Sequence, residues 1–373
     1  MSIKLHDVWA MPQAAITEAR LLLTLGADPS CLYEDEYGQK VLLDRINNGS
    51  VCPKCASKFE EFLKYAGVIY EEMCEQTPIN IVRGRKCSSG VLPLCLDGGG
   101  MRGLVSVVCL LFASKRIMGD ESLVNYFDWL IGTSTGSMLA LSTANGRTLS
   151  ECFYLYWNMK RQIFLEGSTM SRNYSFTRPF GAALDEEQDV LFKDAARASS
   201  AAPTYFEPFA YQDRKFVDGS FVANYPLNIL FKECDSFSKH NNRIKLAGVV
   251  SIGTGEPAQS ERKYKSGTTL KAKAKNMAHV TTLILEQVVG QDLTAVEMAE
   301  ERCHAHNIPF IRISPKGINV RIDQIDDGKL MDMIWTTLLW LVDNVHEVDK
   351  LAELLFKLLS NPDDRKPRSN TIL

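Results

Sequence analysis

Hydrophobic periodicity along residues 91–131 changes twice, from strand-like to helix-like and back. Val91 to Leu96 is an apolar run of strand length, Gly103 to Met118 is apolar nearly all round a helix, and Phe127 to Ile131 is a second strand-length run. Strand, crossover helix, strand predicts two parallel strands in an α/β fold, with helices on the faces of the sheet. Upstream, residues 16–46 read as a helix ending at Gly26, a polar turn and a second helix starting near Gln39. Ser57 to Tyr65 is a further helix-like piece, after which Gly84, Gly90 and Pro93 place a domain boundary near residue 88. Downstream, residues 329–358 form a long helix-like run in which Trp335 and Trp340 sit among leucines, a spacing read first as core.

Composition narrows the class. A chain of 373 residues, 45% hydrophobic and 23% charged, has material for one sizeable core plus an accessory region. Its 45 acidic and 42 basic residues are scattered, which excludes nucleic acid as the expected partner. Lys4, His6, Asp7, Glu18 and Arg20 interrupt the first 20 residues, so no ordinary secretory signal is read and a cytoplasmic location is expected. The longest apolar stretch, Leu104 to Ala113, is well short of the roughly 20 residues of a membrane span, so membrane contact is expected to be peripheral. Ten cysteines in that setting favour free thiols. Cys52 and Cys55 form a C-x-x-C with Cys74 and Cys87 downstream at spacings a zinc knot could use; lacking a second tight pair, the four are read as thiols in a linker, and no metal is expected.

The candidate chemistry begins at LCLDGGGMRGL, residues 94–104. Gly98, Gly100 and Gly103 fit the G-x-G-x-x-G pattern of a dinucleotide site, and the same glycine amides equally suit a developing oxyanion. The second strand separates the two readings. A dinucleotide site wants an acidic residue near the end of that strand, whereas FDWLIGTSTG (127–136) ends in G-x-S-x-G, the pattern of a nucleophile elbow. Ser134 is then the nucleophile, Gly132 and Gly136 give the tight turn its room, and Gly98, Gly99 and Gly100 with Arg102 face the oxyanion. A serine needs a base. His240, His279, His304, His306 and His346 lack a strand-end setting, while KFVDGSFVANYP (215–226) offers Asp218 followed by Gly219, which lets a carboxylate approach the serine closely.

DGGGMRG, FDWLIGTSTG, ARASSAAPTYFEP (196–208), FVDGSFVANYP and VVSIGTG (249–255) together resemble the patatin-like phospholipases, most of all their ankyrin-bearing, calcium-independent group VI phospholipase A2 members. The resemblance implies a three-layer fold with a mostly parallel central sheet over residues 88–360, followed by a polar tail at 361–373. It implies a Ser134/Asp218 dyad that cleaves fatty acyl esters of phospholipids at a membrane surface through an acyl-enzyme, without a metal or cofactor. It also suggests calmodulin or homo-oligomer contacts. Residues 1–50, where LLLTLGADP looks like the second helix and exit loop of an ankyrin repeat, would be a short ankyrin-like remnant, joined by a linker at 51–87. One departure stands out: TRPFGAALDEEQDVLFKDA (177–195) joins the elbow helix to ARASSAAPTYFEP where relatives carry a longer insert with at least one more core strand. The alternatives are a catalytically impaired chain acting as an interaction protein, and a nucleotide-binding protein using the 98–103 loop.

Overall fold

The structure is a computed structural model that describes residues 12–29, 53–78, 90–119, 121–164, 191–202, 206–239, 244–257 and 294–359. The helix expected from Gln39, most of the short 177–195 join, Cys52, Cys87, His240, His279 and the polar tail lie outside these residues. Strands β1 (Pro93–Leu96), β2 (Trp129–Gly132), β5 (Val249–Ile252) and β6 (Phe310–Ile313) form one parallel sheet in the order β2-β1-β5-β6. β3 (Phe209–Tyr211) and β4 (Arg214–Phe216) make a separate antiparallel hairpin.

Alternation along the strands builds the layers. Leu94, Leu96, Val250, Ile252, Ile311 and Ile313 point into one apolar cluster, and Cys95, Val249, Ile131 and Phe310 into another. The first cluster is closed by α1 (Pro12–Thr24), α2 (Pro53–Cys74), α3 (Gly103–Met118), α10 (Asp327–Asp343) and α11 (Val345–Leu359). The second is closed by α8 (Leu227–Lys239) and α9 (Thr294–Ala305). This is the expected three-layer α/β arrangement, with α3 as the crossover between β1 and β2. Every residue of α3 from Gly103 to Ser114 is buried, because the helix lies between the sheet and the outer helices.

Two sequence expectations change. The short piece at 57–65 is the middle of α2, a 22-residue helix, because Phe62, Ala66, Ile69 and Met73 continue one buried stripe past the exposed Gly67. Cys55 and Cys74 sit near opposite ends of this helix, roughly 28 Å apart at the usual rise, so the four-cysteine zinc knot is excluded. The run at 329–358 is two helices, α10 and α11, meeting at Asn344. Trp335 is buried with its ring 5.3 Å from that of Phe62, and Trp340 is half-buried, as the core reading requires. α1 docks on the same core through Ala19 and Leu23, while Arg20 lies over the Trp335 ring and bonds Asp332 at 3.0 Å. Among the described residues no helix is long and apolar enough to cross a membrane.

A buried ion pair ties the central strands together. Arg312 of β6 donates to Asp97, just past β1, at 2.5 Å and to Ser251 of β5 at 2.6 Å. Burial disfavours the charge on the guanidinium, but the adjacent Asp97 carboxylate outweighs it and holds Arg312 more firmly protonated than usual. Asp97→Ala should therefore leave a buried cation without its counter-charge and cost about 3–5 kcal/mol. Urea unfolding measures this, and adding Arg312→Met to the same chain should recover part of the loss.

Candidate active site

The register of the sheet sets where the site forms. Leu96 pairs with Gly132 on one side and Ile252 on the other, so β1, β2 and β5 end level with one another. The segments leaving these ends are the glycine loop, the G-x-S-x-G turn and the SIGTG turn. In parallel α/β sheets this edge is where ligands bind.

The turn after β2 is as tight as its sequence demands. A Cβ on Gly132 would lie 2.3 Å from the Gly136 carbonyl oxygen, and one on Gly136 would lie 2.3 Å from that of Leu96. Neither position admits a side chain. Ser134 between them takes φ 51°, a left-handed value that costs a non-glycine residue about 1–3 kcal/mol. Helix α4 (Thr135–Ala144) starts immediately after it, and helix α5 (Leu149–Phe164) braces this start, the Tyr156 hydroxyl donating to the Thr135 carbonyl. Gly103, the last glycine of the apparent dinucleotide pattern, has no room for a Cβ because the Tyr156 ring would be 2.6 Å away. Its role is packing.

Asp218 reaches the serine from a different part of the chain. The Ser134 hydroxyl donates to Asp218 Oδ2 at 2.7 Å, and the backbone N–H of Ser220 donates to Oδ1 at 2.7 Å. Both side chains are buried, with Ser134 at 7% and Asp218 at 2% exposure. Gly219 has an ordinary right-handed backbone as it leads into the short helix α7 (Ser220–Ala223), so it is not required there for a positive φ. A Cβ there would come within 3.2 Å of the Thr133 methyl, a tight contact that glycine avoids.

Residues 199–201 hold the pair together, a contribution that spacing in the sequence did not reveal. Helix α6 (Phe192–Ser199) ends at Ser199, within ARASSAAPTYFEP. The Ser199 hydroxyl accepts the Ser134 N–H at 2.9 Å, its carbonyl accepts the Gly219 N–H at 3.0 Å, and the Ala201 carbonyl accepts the Asp218 N–H at 2.9 Å. Thr133 adds a hydroxyl bond to the Ala223 carbonyl at 2.7 Å. The run ARASSAAP carried the signal, small hydroxyl and methyl residues that let two turns meet.

The glycine loop lies beside the serine. A Cβ on Gly98 would sit 3.3 Å from Ser134 Cβ. The Gly98 N–H donates to the Asn224 carbonyl at 3.1 Å and the Gly99 N–H to the Thr135 hydroxyl at 3.2 Å, while Gly100 takes φ 57°. Arg102, at the end of the same segment, is buried. The Gly98 and Gly99 amides, expected to face an oxyanion, are thus engaged within the site, which leaves the loop few donors for a phosphate and sets those two amides aside as oxyanion donors in this conformation. His304, His306 and His346 are solvent-exposed, and the described residues hold no group of three or more His, Cys, Asp or Glu that could bind a metal ion.

Comparison with known proteins finds similarity to phospholipases. The family model described as patatin-like phospholipase matches residues 94–176 and 165–231, its two pieces overlapping at 165–176, just before the 177–195 join. The 85/88 kDa calcium-independent phospholipase A2 of Rattus norvegicus is 27% identical over 338 residues, covering 70% of this chain and 40% of its own. The intracellular phospholipase A2 of Caenorhabditis elegans is 24% identical, covering 90% of this chain and 34% of its own. Patatin-like protein 1 of Arabidopsis thaliana is 26% identical over 74% of this chain and 83% of its own. The chain thus spans well under half the length of the two animal relatives. The stretch matched by the patatin-like phospholipase model, residues 94–231, contains the glycine loop, the elbow and the Asp218 turn.

Proposed function

We propose that the chain is a calcium-independent serine acyl hydrolase of the phospholipase A2 type, cleaving fatty acyl esters of glycerophospholipids at a membrane surface. The observation that carries this reading is the 2.7 Å hydrogen bond from the Ser134 hydroxyl to Asp218, made by a serine on a strained strand-to-helix turn. In the first half-reaction Ser134 Oγ attacks the acyl carbon and its proton passes to Asp218. The tetrahedral oxyanion collapses, the alkoxide of the lysophospholipid leaves with that proton, and an acyl-enzyme remains. Asp218 then takes a proton from water as the water attacks the acyl carbon, and returns it to Ser134 as the fatty acid departs. The developing charge forms beside the glycine loop, which lies next to Ser134. Val217 and Phe221, 46% and 36% exposed on either side of the Asp218 turn, give the site an apolar margin suited to lipid.

Two substitutions test the dyad. Ser134→Ala should abolish hydrolysis of phospholipid in mixed micelles while leaving the melting temperature nearly unchanged, since few contacts are lost. Asp218→Asn keeps the shape but not the base and should lower the rate ~10²-fold or more; a rate near that of the parent would remove Asp218 from the mechanism. Hydrolysis should also persist in excess calcium chelator, because no D-x-D-x-D-G loop is present in the sequence. Strict dependence on added calcium would contradict the proposal.

A further inference from the structure

Asn224 stands out among the polar side chains around Ser134. It is 4% exposed, yet neither its Oδ1 nor its Nδ2 has a hydrogen-bond partner among the described residues. Buried carboxamides are almost always bonded, and one left without partners is destabilising compared with an apolar side chain of similar shape. The group is directed at the site. A Cβ built on Gly98 would be 2.5 Å from Asn224 Oδ1, 2.7 Å from Ser220 Oγ and 3.3 Å from Ser134 Cβ, so all three side chains converge on one face of Gly98.

The donors of the glycine loop give this placement its meaning. An oxyanion formed on Ser134 wants N–H groups about 2.7–3.1 Å from the oxygen. The Gly98 N–H is held by the main-chain carbonyl of Asn224 itself and the Gly99 N–H by the Thr135 hydroxyl. Asp218, which accepts the serine proton, occupies its own side of the serine, which leaves the acyl oxygen the side of the loop. The Asn224 carboxamide lies there, and since no partner fixes either end, a half-turn presents its NH2 group without breaking a bond. We propose that the Asn224 side chain is an oxyanion donor of this site, supplying an N–H to the acyl oxygen in the transition state. The backbone of the same residue fixes the loop, so one residue positions the glycines and supplies a donor where the Gly98 and Gly99 amides are engaged. This inference rests on the serine hydrolase reading given above.

Asn224→Leu and Asn224→Ala both keep the main-chain bond to Gly98 and remove the donor. For phospholipid hydrolysis in mixed micelles, kcat should fall about 10²–10³-fold with KM changed less than about threefold, as for loss of one oxyanion donor. The melting temperature of both variants should equal or exceed that of the parent, because a buried unpaired amide has been removed. A purely structural side chain would behave otherwise. A kcat within about threefold of the parent in both variants overturns the inference, as does a loss of turnover accompanied by a lower melting temperature in both. If the parent chain itself hydrolyses no ester, the hydrolase reading fails and takes this inference with it; an active parent with equally active variants defeats the inference alone.

Discussion

The absence of space between Gly136 and the last carbonyls of β1 is the constraint on which the site depends. With a Cβ at that position 2.3 Å from the Leu96 oxygen and 2.6 Å from that of Asp97, only glycine lets α4 begin so close to the strand. The chain must then reverse from strand to helix within Thr133 and Ser134, and Ser134 absorbs the reversal at φ 51°. Its side chain is left standing over the end of the sheet, beside the glycine loop that leaves the neighbouring strand. A serine elsewhere on β2 would point into one of the two apolar layers. The turn therefore costs backbone strain, and parallel pairing of β1 with β2 and β5 holds it in place.

The other half of the pair has a different kind of support. Asp218 follows the β3–β4 hairpin, outside the parallel sheet, so strand pairing does not aim it at Ser134. Three hydrogen bonds to residues 199–201, from Ser134, Asp218 and Gly219, do so instead. The separation of the two side chains is consequently set by the loop that follows α6. That loop lies a few residues beyond the 177–195 join, and its bonds tie the end of α6 directly to the elbow. Below the site, the buried pair of Asp97 and Arg312 links β1 with β5 and β6, so the strand that delivers the glycine loop is fixed by charge as well as by its ladder.

Much of this was legible in the sequence for identifiable reasons. The 94–136 region was read correctly as strand, helix, strand and elbow because its apolar runs are short and unbroken and its glycines are placed where no Cβ fits. Asp218 was legible as a partner for Ser134 because a carboxylate followed by a small residue is what close approach requires. α2 was less so: its stripe of Phe62, Ala66, Ile69 and Met73 passes through Gly67 and lies among cysteines that drew attention to metal spacing instead. Ser199 and Asn224 were hidden for a different reason. A hydroxyl that accepts one amide and a carboxamide that meets a glycine loop are set by tertiary approach, and nothing in local periodicity marks them.

The central claim is that Ser134 is an activated nucleophile, and covalent capture tests it most directly. The folded chain would be treated with a fluorophosphonate, which forms a stable bond only with an activated serine, then digested and sequenced by tandem mass spectrometry. The account predicts one phosphonyl group per chain, on the Ser134 hydroxyl within FDWLIGTSTG, and no labelling of Asp218→Asn on the same timescale. An unlabelled parent chain, or a label on any other residue, would contradict it.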